Sequence, residues 1–250
     1  MFKDLAQINS RPLAGDDGLS HGFYGMPETT AEFDVQDPTL RKAQTKYIAE
    51  QMQIPTNRMI EVEQIHSAKV RPVAAPWATS KPQADAIVTD ARGLALVIKT
   101  ADCAPVLLAD TQAGVIGAAH AGWRGALAGV LEQTVMHMTF LGAQRSQIIA
   151  SIGPCIAQES YEVGEEFADE FLEKSVFNGQ FFLQPSPPKL QFDLAGFCAH
   201  QLKQSGISSC DIISTDTFLQ KNCFFSYRRS LCNNESGYGR NLSVICLPKQ

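Results

Sequence analysis

The chain has 250 residues, 44% apolar and 19% charged, the proportions of an ordinary folded protein rather than a disordered one. Its net charge of −5 excludes a general nucleic-acid binder, which needs a basic surface to displace counterions; a local basic pocket stays compatible with it. No segment approaches the roughly 20 apolar residues of a membrane helix, and Asp4, Gln7, Asn9 and Arg11 interrupt any signal-like run near the start, so a cytoplasmic protein is expected.

The predicted elements begin with a helix over 38–53, where Leu40, Ala43, Tyr47, Ile48 and Met52 recur at helical spacing after an Asp-Pro start. Residues 59–62 read as a strand. Four short apolar runs, 86–88, 94–98, 105–109 and 115–119, read as strands buried mostly on both faces. The stretch 125–141 reads as one helix with a stripe of Leu127, Val130, Leu131, Thr134, Val135 and Met138. A strand over 148–152 stops at Gly153-Pro154. Helices come next over 162–173 and 193–204, the second capped by Asp193 and ended by Gly206. Between them 178–190, with Pro185, Pro187 and Pro188, predicts an exposed loop. Late strands cover 211–213 and 242–246. Strands in the middle with helices interspersed predict an α/β or α+β fold, its sheets covered by helices. With no linker, repeat or low-complexity run, one domain over 1–250 is expected.

Three stretches carry candidate chemistry at strand ends: Gln64-Ile65-His66-Ser67, Thr100-Ala101-Asp102-Cys103-Ala104-Pro105 and Ala119-His120-Ala121-Gly122-Trp123-Arg124-Gly125. Rigid strands hold such loops in place. His66, Cys103 and His120 make a three-ligand set acceptable to zinc, which leaves a fourth position for water or substrate. Arg124 stands beside a predicted helix start, where free N–H groups and a guanidinium can meet an oxyanion. On spacing alone the alternatives stay open: His66 as a half-buried structural histidine, Cys103 as a core thiol, Arg124 as a surface arginine in a tight turn.

The seven cysteines are odd in number and irregularly spaced, which fits a reducing compartment. Cys198 and Cys246 read as core. The Pro154-Cys155 stretch lacks the second cysteine and the His-x-Glu pair of zinc deaminases. His21, His137 and His200 read as structural or surface residues. The tail, with Phe225-Ser226-Tyr227-Arg228-Arg229 and Gly237-Tyr238-Gly239-Arg240, reads either as a pocket lip for an anion or as an exposed loop.

Together with Ala84-Asp85-Ala86, Ile152-Gly153-Pro154-Cys155-Ile156, Tyr161-Glu162-Val163 and Asp193-Leu194, these ordered blocks are similar to the YfiH/laccase-domain (DUF152) family of purine nucleoside phosphorylases, also called polyphenol oxidases, from about Gln64 to Leu247. The resemblance implies a layered α/β/β/α fold and zinc bound by His66, Cys103 and His120. It implies phosphorolysis of adenosine, inosine, guanosine and methylthioadenosine to free base and ribose 1-phosphate, with adenosine deamination beside it. Arg124 is expected to help position phosphate, and Asp102 to serve as an acid/base group or as a partner behind the ligands. The older copper laccase label asks for a blue-copper site and a histidine-rich trinuclear cluster, which five histidines, two of them already assigned, cannot supply. The chain departs from the family pattern after His21-Gly22-Phe23, where Tyr24-Gly25-Met26-Pro27 replaces an arginine and a Gly-Gly turn. Two other readings are a metal-free enzyme with Cys103 as nucleophile and His120 or His66 as base, and a non-catalytic anion-binding protein.

Overall fold

A computed structural model describes residues 4–14, 19–27, 38–207 and 209–247. In chain order it starts with β1 (Leu5–Ile8), α1 (Arg11–Ala14), β2 (Ser20–Pro27), α2 (Pro38–Gln51), β3 (Met59–Ile60), β4 (Val70–Pro72) and β5 (Ala86–Thr89). The middle holds β6 (Ala95–Thr100), β7 (Ala104–Asp110), β8 (Val115–Ala121), α3 (Trp123–Leu127), α4 (Val130–Phe140) and β9 (Ile149–Ile152). Then come β10 (Glu162–Val163), α5 (Glu165–Lys174), β11 (Phe182–Ser186), β12 (Lys189–Phe192), α6 (Leu194–Gln204), β13 (Ser209–Ile212), α7 (Tyr227–Cys232) and β14 (Asn241–Cys246). The strands form a six-stranded sheet in the order β13-β9-β7-β8-β5-β4, a five-stranded sheet β1-β2-β14-β6-β3 and a small sheet β10-β12-β11. Both larger sheets are mixed, with parallel pairs at β13/β9, β4/β5 and β3/β6 and antiparallel pairs elsewhere.

Successive side chains of a strand point to opposite faces, and here both faces are buried. In β7, Val106 and Leu108 pack with Val130, Leu131 and Val135 of α4 and Phe197 and Leu202 of α6. The alternate residues Leu107 and Ala109 pack with Leu96 and Ile98 of β6 and Ile245 of β14. The other face of the five-stranded sheet, through Val97, Leu242 and Val244, meets Leu40 and Ile48 of α2 and Met52 just after it. The layers are therefore helix, sheet, sheet, helix, and the continuous apolar runs of β5 to β8 result from double burial. Each large side chain sealed in the middle layer contributes about 1.5–3 kcal/mol. Among the described residues, no helix is long and apolar enough to cross a membrane.

Several local expectations need correction. The helix expected over 125–141 is two, because Gly129 takes the left-handed conformation (φ 90°) and starts α4 afresh. The helix expected from 162 begins at Glu165, since Glu162 and Val163 pair with β12. The expected loop 178–190 is largely the β11–β12 hairpin; Pro185 is tolerated because β11 is an edge strand. The helix over 38–53 ends at Gln51, and the strand at 59–62 ends at Ile60. The α6 cap is as expected: Asp193 Oδ1 accepts the Gly196 N–H at 2.8 Å, and Gly206 takes φ 84°.

Candidate metal centre between two cavities

Strand register brings the three candidate ligands together. In the β7–β8 pair Ala104 faces Ala121 and Pro105 faces His120, so Cys103, just before β7, lies beside His120. The β5–β8 pair sets Asp85 at the same level, and the His120 N–H donates to the Asp85 carbonyl at 2.7 Å. The fully buried Asp85 carboxylate then folds the His66 loop around itself. It accepts the N–H groups of Ile65 (3.1 Å), His66 (2.9 Å) and Ser67 (2.6 Å) and the Ser67 hydroxyl (2.7 Å). His66 adopts φ 58° in that turn and Asp102 φ 82° beside Cys103, two left-handed non-glycine residues flanking the centre. Such strain persists where the surroundings enforce it.

The ligand atoms of His66, Cys103 and His120 lie within 4.8 Å of one another, and among the described residues this is the group that could hold a metal. Two further features fit a metal. Asp85 Oδ1 lies 2.9 Å from His120 Nδ1. A carboxylate only accepts, so Nδ1 keeps its proton and Nε2 is the nitrogen that would give up its own to a ligand, the carboxylate–histidine arrangement of metal sites. Second, a Cβ added to Gly122 would stand 2.9 Å from His66 Cδ2 and 3.1 Å from Cys103 Sγ, so the space between these two side chains is kept open by a glycine. Burial alone would raise the Cys103 thiol, but the charge of His120 and hydrogen bonds from His120 and His66 bring it down to about 6. Burial alone would lower His120; the Cys103 thiolate and the Asp85 hydrogen bond push it up to about 9. The thiolate is the form that ligates metal or attacks as a nucleophile. His66 is exposed, Cys103 half-buried and His120 buried, so access is from the His66 side.

Two cavities meet at this centre. One, of about 430 Å³, is lined by His66 and Cys103 together with Trp123, Arg124, Tyr161, Glu166, Phe167, Tyr227 and Arg228. The other, of about 510 Å³, shares His66, Cys103 and Tyr227 and adds His120, Lys99, Thr100, Tyr238 and Arg240. The first is aromatic and the second cationic.

The other sequence candidates separate by role. Asp102 lines the aromatic cavity, but its oxygens are taken: Oδ1 by the Thr217 hydroxyl (2.7 Å), Oδ2 by the Ser226 hydroxyl (2.9 Å) and the Arg228 N–H (2.6 Å). It latches the C-terminal lip to the Cys103 loop. Arg124 is exposed in the five-residue α3, with its guanidinium 4.1 Å above the Trp123 ring. The basic tail divides three ways. Arg228 donates to the Glu162 carbonyl at 3.0 Å at the aromatic cavity, and Arg240 lines the cationic one. Arg229 clamps the carbonyls of Thr217, Phe218 and Phe224 at 2.7, 2.9 and 2.6 Å and is structural. His21 bonds to Ser10, while His137 and His200 pack on Phe140 and Phe181, away from the centre. Sequence reasoning assigned no role to Asp85, Gly122, Lys99 or Tyr161. For Asp85 the available signal was an acid immediately before the apolar run 86–88.

The fold and the donor set define a mixed α/β protein with an open His-Cys-His centre suited to a metal. The chain belongs to the family described as multi-copper polyphenol oxidoreductase laccase, whose model matches residues 16–248. A purine nucleoside phosphorylase of Rickettsia conorii is 40% identical over 168 residues, 66% of this chain and 69% of that protein. A purine nucleoside phosphorylase of Deinococcus radiodurans is 38% identical over 196 residues, 76% and 70% of the two chains. Among solved structures, a Neisseria meningitidis protein of the DUF152 family superposes with a TM-score of 0.83 at 27% identity, covering 99% of this chain and 100% of that one. YlmD of Geobacillus stearothermophilus, at 24% identity, a TM-score of 0.81 and 99% coverage of both chains, shares the fold.

Proposed function

We propose that the chain is a zinc-dependent purine nucleoside phosphorylase that also deaminates adenosine. The observation that carries the reading is the His66–Cys103–His120 group opening into an aromatic cavity large enough for a nucleoside, in a chain whose relatives bear the phosphorylase name. The donor set favours zinc over the copper of the family description. A thiolate and two imidazoles with one position open suit a single zinc, while multicopper oxidation needs more histidines than this chain has.

Zinc held there supplies Lewis acidity toward an oxygen nucleophile, phosphate in one reaction and water in the other. The residues of the chain do the rest. Trp123, Tyr161, Phe167 and Tyr227 offer faces on which a purine stacks. Arg124 was expected to hold phosphate; its stacking on Trp123 supports instead a place at the nucleoside, fixing the indole as a platform. Arg228 closes the lip over Tyr161, and Asp102 positions that lip rather than moving protons. The Glu166 carboxylate at the rim opposes the positive charge that develops on the ribose as the base leaves.

One other reading keeps support: the depressed Cys103 thiol beside His120 suits a metal-free cysteine nucleophile. Elemental analysis separates the two. The zinc reading expects about one zinc per chain, lost in His66→Ala, Cys103→Ala and His120→Ala, with phosphate-dependent adenine release from adenosine lost alongside. Full activity in a metal-stripped sample overturns it in favour of the cysteine.

A further inference from the structure

We propose that inorganic phosphate docks in the second cavity, on the Lys99, Thr100 and Arg240 side of the centre, adjoining the aromatic cavity. The inference deepens the phosphorylase reading and rests on it for the identity of the anion.

The cavity is cationic beyond local neutralisation in a chain of net charge −5. Glu61, the carboxylate behind it, pairs with three cations, Arg41, Lys81 at 2.6 Å and Lys99 at 3.7 Å, so a single negative charge is shared among them and does not neutralise Lys99. Arg240 has no carboxylate within 4.0 Å among the described residues. Its guanidinium lies 4.1 Å from the Tyr238 ring centre and donates to the Tyr238 hydroxyl at 3.0 Å and the Gly239 carbonyl at 3.3 Å, which fixes the group and leaves three of its five N–H donors for an anion. The acidic residue of the lining is the exposed Glu63. An independent sign of a missing ligand comes from Thr100. It lines the same cavity at 2% exposure, and among the described residues its buried hydroxyl has no hydrogen-bond partner. A buried hydroxyl left unpaired is costly, and a bound oxyanion would satisfy it. Lys99 is also fixed to the centre: the Gln64 side chain accepts its N–H at 2.9 Å and donates to its carbonyl at 2.7 Å, two residues before His66.

The two cavities share His66, Ala101, Cys103 and Tyr227, so ligands in them meet at one place. Displacement at the ribose C1′ needs that arrangement. A phosphate oxygen forms the new bond to C1′ as the bond to the purine nitrogen breaks. The base leaves with the electron pair and takes a proton from solvent.

The test is equilibrium dialysis of radiolabelled inorganic phosphate against the purified protein and its Lys99→Met, Arg240→Met and Arg124→Met variants, with melting curves to verify folding. Lys99→Met and Arg240→Met should each weaken phosphate about tenfold or more while leaving adenosine binding unchanged. Lys99→Arg and Arg240→Lys should retain most of it, and Arg124→Met all of it. Loss in Arg124→Met alone, or no phosphate binding by the wild type at millimolar concentrations, overturns the proposal. Adenosine and phosphate bound together support free phosphate; AMP displacing both, with a Lys99-dependent gain over adenosine, assigns the cavity to a nucleotide's own phosphate and overturns it. Binding is read without turnover, so phosphate held here by a chain that releases no base would overturn the phosphorylase reading alone.

Discussion

Asp85→Asn changes one atom in the residue that holds the centre together. The carboxylate accepts hydrogen bonds from Ile65, His66, Ser67 and His120 and donates none. An amide turns one oxygen into a donor. With the NH2 at the Oδ2 position, it faces the Ser67 N–H, which sits 2.6 Å from that oxygen in the wild type. With the NH2 at the Oδ1 position, it faces the His66 and Ile65 N–H groups. It also obliges His120 Nδ1 to accept, which moves the ring proton to Nε2, the nitrogen left for a metal. Either orientation loses at least one charge-assisted bond worth about 1.5–3 kcal/mol. Partners behind a ligating histidine are worth about 10- to 100-fold in metal affinity, so Asp85→Asn should weaken zinc by that factor and lower the melting temperature. Competition for zinc against a chromophoric chelator measures the first effect and circular dichroism the second. Zinc affinity equal to wild type in a folded Asp85→Asn protein would refute the account of how His120 is held.

Gly122→Ala puts a methyl group 2.9 Å from His66 Cδ2 and 3.1 Å from Cys103 Sγ, so it should lose zinc while the sheets stay folded, as metal analysis and far-ultraviolet circular dichroism would show. Asp102→Asn separates positioning from proton transfer. Its oxygen can still accept from Ser226 and Arg228 while its NH2 donates to the Thr217 hydroxyl, so kcat should hold, whereas Asp102→Ala should raise the nucleoside KM about tenfold. An acid/base role would instead cost the Asn variant about 10²–10⁴ in kcat. Glu61 carries a pH signature: burial alone would raise its carboxyl, but Arg41, Lys81 and Lys99 hold it at about 2, against an ordinary 4.5. Its stabilisation is fully present above the ordinary value and is lost as pH falls toward 2, so Glu61→Gln should flatten the acid limb of stability in chemical denaturation across that range.

The central strands were legible because both their faces are buried. Residues such as Leu107 and Leu108 serve different layers, yet both must be apolar. Of the three candidate ligands, Cys103 and His120 were legible as residue types at strand ends, since a rigid strand fixes the position of the loop attached to it; His66 lies instead in the loop between β3 and β4, whose shape depends on the distant Asp85. Elements whose existence depends on a distant partner were not. Ser20–Pro27 carries a histidine, two glycines and a proline and reads as no strand; it becomes one through pairing with Asn241–Cys246 at the other end of the chain. The stripe from Leu127 to Met138 hides the break at Gly129, because a change of backbone hand leaves no mark on apolar periodicity. Asp85 and Lys99 each sit in or beside apolar runs, and their partners at the centre are far off in sequence, so spacing could assign them no role.

The central claim is transfer of the ribose to phosphate. Wild-type protein, purified with its zinc content measured, is incubated with adenosine and ¹⁸O-labelled phosphate, and the products are resolved by mass spectrometry. The account predicts adenine together with ribose 1-phosphate that retains the label, in equal amounts and dependent on phosphate. Zinc-loaded protein that releases no adenine, or releases it with unlabelled free ribose, would contradict the account.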